Sequence, residues 1–180
     1  MGCGLMGEPG WARVLVLGGA RSGKSAFAER LASEFGEPIL YVATATAGDE
    51  EMTERIRRHQ ARRPPSWRTL EASTQVSTRL SGELGNARTV LVEDLTLLLS
   101  NLMLDESADV SEQKAVAEVE ALVQLSAHVI LVSNEVGMGL VPPYPLGRQF
   151  RDALGRLNQA AAAHANDVYL LMAGLPLRLK

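Results

Sequence analysis

Several things are scarce in this chain, and each scarcity narrows what it can be. Cys3 is its only cysteine, which excludes an internal disulfide and a cysteine-built metal cluster and suits a reducing compartment. Aromatic residues are 4% of the total. The formal charge of -3 provides no basic excess with which to displace counterions, and so argues against a general binder of nucleic acid or anionic membrane. No apolar run approaches the roughly 20 residues that span a bilayer. The opening 1–10 lacks the basic start and apolar centre of a secretion signal, and Met6 stands where a myristoylation signal needs Ser or Thr. The chain therefore reads as cytoplasmic, with 1–11 a flexible leader and 12–180 one domain, a length that buries a sufficient core.

What is present is an alternation. Short runs of Val, Ile and Leu at 13–17, 39–43, 89–93, 128–133 and 167–172 have the near-continuous apolar character of parallel strands buried on both faces. Between them, 24–35, 49–63, 95–104, 110–126 and 146–165 have helix-forming composition and spacing. The expectation is an α/β fold: a mainly parallel, doubly wound sheet flanked by helices, with Pro176 onward as a short edge strand. The connection 134–145 is long, partly apolar and rich in Gly and Pro. It reads equally as a self-packed surface loop or as a substrate lid.

Gly18-Gly19-Ala20-Arg21-Ser22-Gly23-Lys24-Ser25 fits Gly-x4-Gly-Lys-Ser, set between the first strand and the first helix, which is the context a phosphate-binding P-loop requires. Glycines let successive N–H groups turn toward phosphate oxygens, and the helix N-terminus adds the positive end of its dipole. In this reading Lys24 reaches the β- and γ-phosphates and the Ser25 hydroxyl binds Mg²⁺. Glu93, at the end of an apolar strand, is the expected second metal ligand. The adjacent acids Glu93-Asp94 also read as solvated turn residues or a helix N-cap, with Asp94 capping the helix from Leu95. The Asn-Lys-x-Asp of signalling GTPases and the Leu-Ser-Gly-Gly-Gln of transport ATPases are absent, which favours a compact metabolic enzyme over a switch or a motor.

The segment 49–63 starts with acids and ends with Arg57, Arg58, Arg62 and Arg63, matching a helix dipole at both ends. Met52, Ile56 and His59 share one face. A histidine on an inner face is more often packed than catalytic, but the arginines crowded beside it suit a polyphosphate, and a neutral imidazole is a competent nucleophile toward phosphorus. His128 and His164 read as structural. The residues alone leave open a P-loop small-molecule kinase with a structural His59, and a nucleotide-sensing module without chemistry.

With these stretches in view, the chain resembles the bifunctional adenosylcobinamide kinase / adenosylcobinamide-phosphate guanylyltransferase family from Val14 to Lys180. The resemblance rests on the P-loop, Tyr41-Val42-Ala43-Thr44-Ala45, Glu51-Met52 through Arg55-Ile56 to His59, Arg63-Pro64 and Trp67. It continues through Leu95-Thr96, Ser100-Asn101-Leu102, Ser133-Asn134-Glu135-Val136-Gly137, Phe150-Arg151-Asp152 and Asn158-Gln159. It implies phosphorylation of adenosylcobinamide by ATP or GTP, then transfer of GMP from GTP to adenosylcobinamide phosphate with release of pyrophosphate. It implies a GMP-histidine at His59 and nucleotide contacts from Gly18 to Ser25, Ala43, Thr44, Ala45, Gln60, Ala61, Arg62, Arg63, Glu71 and Glu93. A homotrimer acting on a corrinoid is implied as well. Many relatives have Asp-Cys where this chain has Glu93-Asp94.

Overall fold

A computed structural model describes residues 10–45, 50, 54, 57, 61 and 63–180. Its sheet has seven strands in the order β3-β2-β4-β5-β1-β6-β7. The strands are β1 (Arg13–Gly18), β2 (Ile39–Ala43), β3 (Arg68–Glu71), β4 (Thr89–Glu93), β5 (His128–Asn134), β6 (Asp167–Met172) and β7 (Leu175–Arg178). All pairings are parallel except β6 with β7. The described helices are α1 (Lys24–Phe35), α2 (Val76–Glu83), α3 (Leu95–Leu102), α4 (Ala108–Leu122) and α5 (Pro145–His164). The expected α/β architecture is the one observed.

Alternate residues of each central strand feed two cores. Val14, Val16, Ile39, Tyr41, Leu91, Ile130 and Val132 pack with Phe27, Ala28 and Leu31 of α1. Leu15, Leu17, Leu40, Val42, Val90 and Val92 face the opposite side, where α2 to α5 pack. Both faces are covered, so the central strands are apolar throughout rather than alternating.

Local chemistry sets the helix ends. Gly23 enters α1 at φ +96, a conformation that suits glycine. Asp94 caps α3, its Oδ1 accepting from Leu97 N at 2.7 Å, one of the alternatives its sequence position allowed. Pro145 opens α5 with a φ already helical.

Two elements were not foreseen. In β3 only Leu70 is buried, because it is a four-residue edge strand without the apolar run that marks its neighbours. α2 buries Val76 and Leu80 alone, a pattern too short to show a helical period. The tail does form an edge strand, beginning one residue before Pro176. Pro176 is tolerated there because among the described strands β7 pairs with β6 alone. Its hairpin turns at Ala173 (φ +53) and Gly174 (φ +81), both positive as a two-residue hairpin demands. Trp11, assigned to the leader on sequence, sets its ring edge-on to His128 at 5.3 Å.

Candidate active site

The sheet's C-terminal edge collects the candidate residues, and strand register accounts for it. Ala43 on β2 pairs with Glu71 on β3 and with Glu93 on β4, so three candidates lie at one level of adjacent strands. Gly18 pairs with Asn134, which brings the start of the P-loop beside the Ser133-Asn134-Glu135 segment.

The P-loop is held from several sides. Ser22 N donates to Gly19 O at 3.2 Å, and Gly174 N of the β6–β7 hairpin donates to Ser22 O at 2.9 Å. A Cβ on Gly18 would lie 2.4 Å from Ser22 Oγ and 2.9 Å from Leu171 O, so a larger residue there displaces the loop. Arg21, exposed, adopts φ +58, and Gly19 and Ala20 are exposed beside it. Among the described residues no side-chain cap bond closes the first turn of α1, whose N-cap is Gly23, and such an N–H end suits an anion. Lys24 is buried and its Nζ donates to Gly19 O at 3.4 Å, folding the ammonium back over the loop.

The Ser25 hydroxyl donates to Glu93 Oε1, so P-loop and acid meet across the sheet edge. Tyr41 OH donates to the other carboxylate oxygen, Oε2, at 3.3 Å. Arg63 covers the Tyr41 ring, its guanidinium carbon 3.4 Å from the centroid, and its Nη1 donates to Thr69 Oγ1 at 3.3 Å. Burial above all, then the Glu93 charge, holds the Tyr41 phenol well above its ordinary value. It therefore remains a donor to the carboxylate at working pH.

A second network fixes the main chain here. Thr44 Oγ1 donates to Asp94 O at 2.8 Å and accepts from Asp94 N at 2.6 Å. Asn134 Nδ2 donates to Asp94 Oδ2 at 3.3 Å and to Thr96 Oγ1 at 2.9 Å. Asn101 Nδ2 reaches Thr44 O at 2.9 Å and Ser73 O at 3.0 Å, and Asn158 Nδ2 reaches Asn134 O at 3.0 Å. Tyr41, Asn101, Asn134 and Asn158 carried no assigned role in the sequence reading. Asn134 ends an apolar run and Tyr41 lies within one, but local polarity does not say what a side chain meets.

The structure thus brings together Gly18 to Ser25, Ala43, Thr44, Glu93 and, through Tyr41, Arg63. Glu71 is at the same level on the edge strand and exposed. His59, Gln60 and Arg62 lie outside the described residues, as do Met52 and Ile56, so the inner stripe they were expected to form is not described. Glu50, Glu54, Arg57 and Ala61 are helical, and Arg57 Nε donates to Glu54 Oε2 at 2.8 Å.

Sheet order, the loop between β1 and α1, and the acid ending β4 define a P-loop α/β protein. Comparison with known proteins then narrows the class. The chain belongs to the CobU family, cobinamide kinase / cobinamide phosphate guanyltransferase, whose model matches residues 14–179. A Pseudomonas aeruginosa protein described as bifunctional adenosylcobalamin biosynthesis protein CobP is 48% identical over 93% of this chain and 97% of its own length. The bifunctional adenosylcobalamin biosynthesis protein CobU of Escherichia coli is 39% identical over 93% and 99%. A solved Pyrococcus horikoshii OT3 structure, 9% identical, superposes with a TM-score of 0.56 over 94% of this chain and 86% of that one, which shows the fold alone. The chain is a bifunctional cobinamide kinase and cobinamide phosphate guanylyltransferase of cobalamin biosynthesis. The single-activity kinase reading accordingly gives way. No helix among the described residues is long and apolar enough to cross a membrane.

Proposed function

We propose that one nucleotide site serves both reactions, with the triphosphate of GTP or ATP on the loop Gly18 to Ser25 and His59 as the residue that becomes guanylylated. The observation that carries this reading is the meeting of the Ser25 hydroxyl with the Glu93 carboxylate at the mouth of an uncapped helix. Main-chain N–H groups, Lys24 and the helix dipole are the parts that stabilise charge building up on departing phosphate oxygens. A hydroxyl beside a carboxylate is a hard-oxygen pair of the kind Mg²⁺ takes together with phosphate oxygens. Ser25 and Glu93 would hold that ion, and when bound it neutralises phosphate charge.

In guanylyl transfer a ring nitrogen of His59 attacks the α-phosphorus of GTP, the bond to the bridging oxygen breaks, and pyrophosphate leaves from the P-loop side. An oxygen of cobinamide phosphate then attacks the same phosphorus, the P–N bond breaks, and the imidazole is regenerated. In the kinase reaction the aminopropanol hydroxyl of adenosylcobinamide attacks the γ-phosphorus, gives up its proton, and the nucleoside diphosphate leaves. Ala43, Thr44, Ala45 and Glu71 at the strand ends, with Gln60, Ala61, Arg62 and Arg63, are the proposed nucleotide contacts. Arg63 supports this through its seat over Tyr41. We place the enzyme in the cytoplasm as one catalytic domain from 12 to 180 and, on the family resemblance, in a homotrimer.

The test is labelling. GTP labelled at the α-phosphate leaves label on the protein in an acid-labile, alkali-stable bond, and His59→Ala abolishes it. A His59→Ala protein that labels as well as the parent removes the histidine from this role.

A further inference from the structure

The sheet reverses its winding between β5 and β1. From β1 the chain passes through α1 on one face and reaches β2 beyond β5 and β4. From β5 it passes through α5 on the other face and reaches β6 on the far side of β1. The loops leaving the C-terminal ends of these neighbouring strands therefore part toward opposite faces and open a crevice, the place where open α/β sheets bind ligands. One wall is the P-loop. The other is the loop 135–144, rooted on the first because Glu135 N donates to Gly18 O at 3.2 Å.

That second wall leaves several large apolar side chains uncovered. Met138 is 76% exposed, Leu140 96%, Val141 64% and Tyr144 75%, and Leu146 in the adjoining first turn of α5 is 63% exposed. Single exposed apolar residues need no explanation, but a concentration of large ones in one loop marks a contact surface. The loop is also braced. Arg148 Nη1 donates to Pro142 O at 3.1 Å and to Pro143 O at 2.8 Å, and Gly147 approaches Pro142 so closely that a Cβ there would lie 2.7 Å from the ring. A surface ordered beforehand loses less entropy on binding.

We propose that Met138, Leu140, Val141, Tyr144 and Leu146 form the docking surface for the corrin ring of the acceptor. The assignment rests on the family's two activities and goes beyond them by locating the substrate. A corrinoid is a broad macrocycle with methyl-bearing faces and amide arms. The arm that carries the reacting hydroxyl or phosphate must reach phosphorus at the P-loop, while a ring too wide for a phosphate cradle lies outside it. An apolar wall on the neighbouring strand's loop meets that requirement.

The experiment exploits the two-step reaction. Replace Leu140→Ser and Val141→Ser together, with Met138→Ser as an independent variant and Leu104→Ser, equally exposed but on another surface, as control. Measure the KM and the equilibrium-dialysis Kd for cobinamide phosphate, GMP loading from α-labelled GTP alone, and sedimentation. Docking predicts that KM and Kd for the corrinoid both rise about tenfold or more. GMP loading, which involves no acceptor, continues, and the control keeps the parent's values. Unchanged KM and Kd in both loop variants overturn the proposal. A raised KM accompanied by a smaller sedimenting species overturns it too, because the loop is then a contact between copies of this chain. If the parent takes up no GMP, the histidine reading fails on its own, and the dialysis result still decides the docking surface.

Discussion

The two ends of this sheet both carry polar side chains among apolar strands, and they use them in opposite ways. At the N-terminal edge, Arg13 donates to the carbonyls of Val123 at 2.5 Å, Leu125 at 2.7 Å, Ala127 at 2.7 Å and Ala12 at 3.1 Å. Three of these carbonyls, of Val123, Leu125 and Ala127, belong to the turn that follows α4. His128 accepts from Ala12 N through Nδ1 at 3.0 Å, with Phe35 stacked on it at 4.8 Å. There the polar groups are spent on the chain's own backbone. At the C-terminal edge, Ser25, Tyr41 and Glu93 bond to one another beside an uncapped helix end, and a phosphate or a cation can replace or join such bonds. Polar burial alone therefore does not mark a site; what distinguishes one is partners that a ligand can substitute.

Removing a residue from either end breaks this contrast in a different observable. Lys24→Ala at the C-terminal edge is expected to lower both activities about 10²–10³-fold while circular dichroism is retained, checked by steady-state assays of each reaction. Arg13→Met at the other edge is expected to leave both activities per folded molecule unchanged and to lower stability by about 2–3 kcal/mol, read from urea unfolding, because charged hydrogen bonds to carbonyls are lost. An activity loss as deep as that of Lys24→Ala would erase the distinction between the ends.

Smaller effects sharpen it. Tyr41→Phe removes the donor to Glu93 Oε2 while keeping the ring under Arg63, and about 1 kcal/mol should appear as a several-fold higher Mg²⁺ requirement and weaker Mn²⁺ binding by electron paramagnetic resonance. The smallest effect concerns pH. Burial first, then the positive charges of Arg88 and Arg13, holds His128 below its ordinary value in the folded chain, so the native imidazole is neutral and protonation opposes its bond from Ala12. The stability tied to this group is complete above the unfolded value of about 6.5. It is lost as pH falls from there through the folded value. His128→Gln should flatten that slope in denaturation curves between pH 7 and 5.

The wide elements were legible because their physics is local. Apolar runs at β1, β2, β4, β5 and β6, the Gly18 to Ser25 loop and the cap at Asp94 are all short-range patterns. β3 and α2 were not, since an exposed four-residue edge strand and a helix with Val76 and Leu80 as its buried contacts lack an apolar signal of their own. They gain order from β2 and α4, which no local window contains. The same holds for Tyr41: β-strand alternation places its ring in a core, but nothing near it in the chain indicates that its hydroxyl meets Glu93.

The sequence by itself determined the layer order, the phosphate loop, the acid that ends β4 and the family, because strand burial and loop chemistry are written in neighbouring residues. Tertiary structure alone decided that Ser25 and Tyr41 hold the two oxygens of Glu93, and that Asn134 ties β5 to Asp94. It also decided that the loop after β5 stands against Gly18 with its apolar side chains uncovered. Those are contacts between segments far apart in the chain, set by strand order and register, and such distances are fixed only when the sheet closes.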